Sequence, residues 1–214
     1  NMIQLGQVKT GLVVAAENGG PLVDSTIETL NQDKALTRRG IKDQIASLTI
    51  GSAATAVLMR HASVSSGGHT LLGGAHHADT TNNHLCQGGA DTAMDGHSHP
   101  VMHTDSHELL VRGVEVAGRT WKKFREVLAW TCDTPDVLCG HQVGKAHRAA
   151  LFERLGLDLS RDFSTFEFLG NCGAASLPVT LAMAEEAGKL RPGHHVALLG
   201  IGSGINCAML GVRW

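Results

Sequence analysis

Two apolar runs of strand length, His195-Val-Ala-Leu-Leu-Gly-Ile201 and Ala208-Met-Leu-Gly-Val212, close this chain with only a glycine-containing bend between them. Upstream of them, strand and helix patterns alternate. A chain that alternates these patterns and then ends on two consecutive strands favours α/β layers built on a mixed sheet.

The same reading extends toward the N-terminus. Gly11-Leu-Val-Val-Ala-Ala-Glu17 is a continuous apolar run, the pattern of a strand buried on both faces. Before it, Met2 to Leu5 reads as the last turn of a helix ended by Gly6, whose beginning is expected upstream. Gly19-Gly20-Pro21 marks a turn into residues 24–48, which are polar with helical stretches. Ile50 to Met59 is a small-residue turn running into a strand, and Thr70 to Ala75 is another strand candidate. Residues 78–100, rich in Gly, Asn, Asp and His, read as loop.

In the second half, Ser106 can cap the longest helix, from about His107 to Trp130. Its apolar Leu110, Val114, Ala117, Trp121, Phe124 and Leu128 recur at spacings of three and four, one buried stripe of an amphipathic helix. Val137 to Gly140 is a short strand that delivers His141. Lys145 to Leu155 is a helix stopped by Gly156, and Leu177 to Ala187 is a helix with Pro178 in its first turn.

Composition excludes several functions. Charged residues make up 18% of the 214 and the net charge is −2, without the clustered Lys and Arg that a nucleic-acid surface needs. No apolar run is long enough to span a bilayer and no signal peptide is visible, so a cytoplasmic protein is expected. Cys86, Cys132, Cys139, Cys172 and Cys207 form no C-x-x-C pair, which leaves free thiols in a reducing compartment as the expectation.

Chemistry is expected where polar groups sit at the ends of apolar strands. Three segments qualify: Leu138-Cys-Gly-His141-Gln142, Gly170-Asn171-Cys-Gly-Ala-Ala-Ser176-Leu-Pro178, and Gly200-Ile-Gly-Ser203-Gly204. A neutral histidine and an asparagine can offer two adjacent N–H donors to one carbonyl oxygen. A glycine-rich loop can offer a backbone N–H to another. Such donors stabilise the negative charge that builds on oxygen during acyl transfer or enolate formation.

These three motifs, in this order, resemble the condensing enzymes of the 3-oxoacyl-[acyl-carrier-protein] synthase III group. The correspondences are His141-Gln142, Gly170 to Pro178, the closing glycine loop Gly200 to Trp214, and the small-residue segment Leu48 to Met59. His141-Gln-Val-Gly144 and Leu198 to Cys207 look more like the branch that joins two acyl-CoAs head to head in olefin biosynthesis. The resemblance implies a thiolase-like layered α/β fold with a mixed β-sheet. Residues 1–66 would be the remainder of the N-terminal thiolase half, and 67–214 the C-terminal half.

The resemblance also implies a site. His141 and Asn171 would bind the thioester carbonyl of the second substrate and stabilise its enolate. The Ser203 backbone N–H would form part of the oxyanion hole. The implied reaction is a Claisen condensation of an acyl-CoA with malonyl-ACP or a second acyl-CoA, through an acyl-cysteine and without metal or redox cofactor. A homodimer is implied, with acyl-CoA and acyl carrier protein as partners and neither nucleic acid nor membrane. The implied nucleophilic cysteine would lie about a dozen residues before Asn1, so the 214 residues alone are expected to be inactive. The rival is a thiolase half that serves as a non-enzymatic binding or assembly module.

Blander readings stand beside these. His141 could be a satisfied histidine at a strand end, Asn171 a turn residue, and Gly200 to Gly204 a plain hairpin bend. Cys172 beside Asn171 invites a Cys–His–Asn hydrolase, but it and Cys139 read better as buried small hydrophobes. Nine of the 13 histidines fall between His61 and His107. His97, His99, His103 and His107 could supply imidazoles to a metal, although only His103 and His107 have i, i+4 spacing.

Overall fold

A computed structural model describes residues 1–88 and 102–214. The strands are β1 (Thr10–Asn18), β2 (Ser52–Arg60), β3 (Thr70–Ala78), β4 (Cys86–Gly88), β5 (Met102–Thr104), β6 (Val137–Gly140), β7 (Asp162–Phe163), β8 (His195–Gly202) and β9 (Asn206–Arg213). The α-helices are α1 (Gly20–Gln32), α2 (Arg38–Leu48), α3 (Ser106–Leu128), α4 (Lys145–Leu155), α5 (Phe166–Leu169) and α6 (Ser176–Glu186).

Five strands form a mixed sheet in the order β3-β9-β8-β6-β7. β9 runs antiparallel to both β3 and β8, whereas β6 lies parallel to both β8 and β7. Because successive side chains of a strand point to opposite faces, each apolar run feeds two cores. Leu138, Ala197, Leu199, Cys207 and Met209 face α3 and α4, where Val116, Trp121, Phe124, Phe152 and Leu155 cover them. Val137, Cys139 and Val196 face the other way, onto Leu177, Leu181 and Ala184 of α6. Both faces of the sheet are therefore covered, which is why β6 and β8 read as unbroken apolar runs.

The first strand departs from the expectation. Gly11 to Glu17 does form a strand, but β1 pairs only with β2, antiparallel, in a separate two-stranded sheet. Leu12, Val14 and Leu58 are 62%, 65% and 55% exposed, because α6 and the turn at Gly173–Ala175 reach this sheet but leave these side chains uncovered. The expectation of burial on both faces is thus not met. Residues 2–6 form a turn in which Leu5 N–H donates to the Asn1 carbonyl, and Gly6 takes a left-handed φ of +73°.

Two local expectations are also revised. Asp105, not Ser106, caps α3: its carboxylate accepts the backbone N–H of Glu108. Part of the expected loop 78–100 is ordered, as a 3₁₀ turn over Thr80–Leu85 followed by β4. Its remainder, with His97 and His99, lies outside the described residues. Gly156 does end α4, at φ +66°, as the sequence indicates.

The Asn171 segment bonds to the residues that lead into β2. Asn171 N–H donates to the Thr49 carbonyl at 2.9 Å, and Gly51 N–H donates to the Asn171 carbonyl at 2.8 Å. These two bonds make a short parallel bridge between residues 50 and 171.

Candidate active site

β6 ends at Gly140 between the parallel neighbours β7 and β8, and His141 N–H extends the pairing by donating to the Leu199 carbonyl at 2.9 Å. The chain then leaves the sheet, so the imidazole stands at the C-terminal edge of parallel strands, where open α/β sheets place their ligands. Gln142 fixes this departure. Its amide is buried and its hydrogen-bonding capacity is heavily used. Nε2 donates to the Gly140 carbonyl, and Oε1 accepts from Ser164 Oγ and from the backbone N–H groups of Thr165 and Phe166. The glutamine after the histidine is thus a brace between two loops, a role that the pairing of His141 with Gln142 in sequence did not reveal.

The Asn171 loop explains its own motif. Asn171 Oδ1 accepts the Gly173 N–H at 3.0 Å and lies 3.4 Å from Ser176 Oγ, which in turn accepts the Cys172 N–H. With the carbonyl of the amide held by its own loop, Nδ2 is the end left to act as donor. Gly170 and Gly173 have φ of +67° and +53°, conformations that side chains other than glycine rarely adopt. A Cβ at Gly173 would also run into the Glu17 carboxylate, and one at Gly51 would strike the Leu169 carbonyl oxygen.

The third segment is the turn between β8 and β9. Gly202 and Asn206 are the last residues paired in that ladder, so Ser203 opens the turn, and Asn206 Nδ2 donates to its carbonyl. His141, Asn171 and Ser203 all line one cavity of 1420 Å³. The structure therefore brings the three sequence-derived residues to a common space.

Electrostatics in this cavity favour neutral donors. Burial, reinforced by the neighbouring His147, holds the His141 pKa down to about 4, so the ring is an uncharged imidazole at neutral pH. Burial pushes the Cys139 thiol up to about 12, aided by Asp162, and raises Cys172, aided by Glu17. Burial likewise raises Cys207. These three cysteines are inert thiols, and Cys172 Sγ is occupied with the Leu169 carbonyl, which removes the support for a Cys–His–Asn hydrolase. Cys86, partly exposed, lines the cavity and accepts a hydrogen bond from Thr104.

Much of the wall was not legible as such. Glu17 of β1, His147 of α4, Ile45 of α2, Met102 of β5 and Leu109 of α3 all line the cavity. Leu110 and Val114, read as part of a buried helical stripe, are half-buried and line it too. Among the described residues no group of three or more His, Cys, Asp or Glu is placed to hold a metal. No helix among them is long and apolar enough to cross a membrane.

Comparison with known proteins agrees with this fold. Residues 127–214 match the C-terminal domain of 3-oxoacyl-[acyl-carrier-protein] synthase III. The acyl-CoA:acyl-CoA alkyltransferase of Shewanella oneidensis is 40% identical over all of this chain and 62% of its own length. Xanthomonas campestris OleA, in a cysteine-to-serine variant with bound lauric acid and lauroyl-CoA, superimposes with a TM-score of 0.89 at 32% identity. That match covers the whole chain and 60% of OleA. The 3-oxoacyl-(acyl carrier protein) synthase III of Xanthomonas oryzae gives 0.88 at 33% identity over 60% of its chain. The chain thus spans about 60% of the length of the relatives it matches. It therefore has a thiolase-like layered α/β fold, its residues 127–214 match the 3-oxoacyl-[acyl-carrier-protein] synthase III C-terminal domain, and over its whole length it is similar to acyl-CoA:acyl-CoA alkyltransferases.

Proposed function

We propose that the chain carries the site at which a condensing acyltransferase turns an acyl thioester into a carbon nucleophile. One observation carries this reading: a neutral, half-buried imidazole and an asparagine amide whose oxygen is held by its own loop line the same cavity. Transfer of a proton from the α-carbon to a general base, or loss of CO₂ from a malonyl group, leaves an electron pair that delocalises onto the thioester oxygen. His141 and Asn171 donate N–H groups to that oxygen. The carbanion then attacks an acyl group held as a cysteine thioester, the thiolate departs, and a 3-oxoacyl thioester remains. The Ser203 N–H would hold the oxyanion of that second carbonyl. Preorganised donors of this kind lower such barriers because they need no reorientation as charge develops.

The substrates on this reading are CoA thioesters, and for the second component malonyl-ACP or another acyl-CoA. The head-to-head branch is favoured by the alkyltransferase relatives and by lauroyl-CoA bound to OleA. The thioester supplies both activation and leaving group, so the chemistry calls for no metal or redox cofactor. A cytoplasmic homodimer completes the reading.

On this reading the acyl-carrying cysteine is none of the five in these 214 residues: Cys139, Cys172 and Cys207 are buried with raised pKa values, and Cys86 and Cys132 stand outside the three motif segments. Incubation with a long-chain acyl-CoA should therefore leave the intact mass of the chain unchanged, with no condensed product. A thioester-linked acyl adduct on any of the five would overturn this assignment. The exposed apolar surface of β1 and β2 favours a second reading, in which the chain is a non-enzymatic assembly module. That reading predicts no rate enhancement in the decarboxylation assay described below.

A further inference from the structure

His141 and Asn171 reach the cavity from segments far apart in sequence. Two N–H groups can serve one oxygen only if the segments that carry them keep a fixed spacing. A continuous set of hydrogen bonds runs between these segments, and Gln142 stands at its centre. The Gly140 carbonyl, at the end of β6, accepts Gln142 Nε2–H at 2.7 Å. Gln142 Oε1 accepts the backbone N–H groups of Thr165 at 3.1 Å and Phe166 at 3.0 Å, and Ser164 Oγ at 2.8 Å. The Thr165 and Phe166 carbonyls then accept the N–H groups of Leu169 at 2.9 Å and Gly170 at 3.0 Å, across α5. Gly170 turns the chain at φ +67°, and Asn171 follows, its N–H held by the Thr49 carbonyl.

α5 cannot hold this geometry by itself. It is a single turn, Phe166–Leu169, too short to be stable without outside contacts. The N–H groups at a helix start find no partner inside the helix and need a cap. Thr165 occupies the N-cap position, and a threonine there ordinarily caps through its own hydroxyl. Here that hydroxyl makes no cap bond and lies instead 2.7 Å from the buried Thr180 Oγ1 of α6. The cap comes from Gln142, whose side chain is 4% exposed and enters from the end of β6. A neutral amide suits this place, since one end must donate to a carbonyl while the other accepts.

We propose that Gln142 is a positioning residue for the donor pair: by capping α5 from the end of β6, it sets the spacing between His141, its chain neighbour, and Asn171, beyond the far end of α5. The inference rests on the donor-pair reading and adds a residue that acts through the other two. Without the cap, α5 and Gly170 are free to shift, and the Asn171 amide no longer meets the oxygen that His141 holds.

Gln142→Met keeps the length of the side chain and removes all four bonds. Its kcat for decarboxylation of malonyl-CoA by the 214-residue chain should fall roughly 10–100-fold, the effect of a donor misplaced by about 1 Å. KM should stay within about threefold, because the loss is one of transition-state alignment. The infrared carbonyl band of a bound ¹³C-carbonyl acyl-CoA should move part of the way back to its free frequency. A folded Gln142→Met chain that keeps the rate and the band of the unaltered protein overturns the proposal, even if it melts at a lower temperature. Hydrogen exchange in the unaltered chain needs no variant: the Thr165 and Phe166 amides should be protected, and exchange at the rate of an open loop overturns the proposal as well. A band that acyl-CoA binding leaves undisplaced in the unaltered chain is a failure of the donor pair, and the inference falls with it. A displaced band that Gln142→Met leaves in place is a failure of this inference alone.

Discussion

Gly51→Ala lowers the melting temperature of the chain by roughly 6–12 °C, an effect set by one backbone oxygen. A Cβ at Gly51 would overlap the Leu169 carbonyl oxygen and press on Cys172 Sγ, so the segments around residues 50 and 171 must separate. Separation weakens the Gly51-to-Asn171 and Asn171-to-Thr49 hydrogen bonds, each worth about 1 kcal/mol. Residual strain from overpacking adds about 1–3 kcal/mol. A loss of about 3 kcal/mol corresponds, for a domain of this size, to the stated shift. Gly140→Ala is the control, since a Cβ there meets nothing within 4 Å among the described residues and the melting temperature should stay within about 1 °C. A Gly51→Ala chain that melts like the unaltered protein would mean that the Asn171 loop is not held by its bridge to residues 49–51.

That bridge also marks the boundary of what could be read from sequence. The strands β6, β8 and β9 and the helices α4 and α6 were legible, because apolar runs bounded by glycine and a proline in a first helical turn are local signals. The small residues of 48–59 were legible as a motif, but their purpose was not. Gly51 is small because a carbonyl oxygen arrives from 118 residues away, and nothing local encodes that approach. Gln142 is similar: its four partners come from Gly140, Ser164, Thr165 and Phe166, and only folding assembles them. The apolar pattern of β1 was read correctly as a strand and incorrectly as doubly buried. Hydrophobicity records that a surface is to be covered, not whether the covering segment is among the residues at hand. The cap of α3 was misplaced by one residue, from Asp105 to Ser106, because both side chains suit the position and only geometry distinguishes them.

The second large effect concerns the chemistry. Decarboxylation of malonyl-CoA generates the enolate of a thioester with no thiol taking part, so it reads enolate stabilisation independently of the acyl-carrying cysteine. The unaltered chain should accelerate CO₂ release over buffer. His141→Ala should lower the rate by about 10²–10³, the usual consequence of removing one donor to a developing oxyanion. Asn171→Asp should do the same while keeping the Oδ1 contact to the Gly173 N–H, which separates loss of the donor from collapse of the loop. The rate should stay level as pH falls from 7 through the ordinary histidine range and decline only toward pH 4, where His141 takes up its proton. Stability follows the same sign. The unfolded chain protonates this ring near 6.5 and the folded chain near 4, so the contribution is full above 6.5 and is lost as pH falls through that window.

The carbonyl stretch of a ¹³C-carbonyl acyl-CoA bound to the chain, read by isotope-edited infrared spectroscopy, bears most directly on the site. Two N–H groups converging on one oxygen should move the band to lower frequency than in free acyl-CoA, and His141→Ala and Asn171→Asp should each move it back toward the free value. A bound thioester whose band does not move, or whose band stays as far shifted in both variants as in the unaltered chain, would contradict the account.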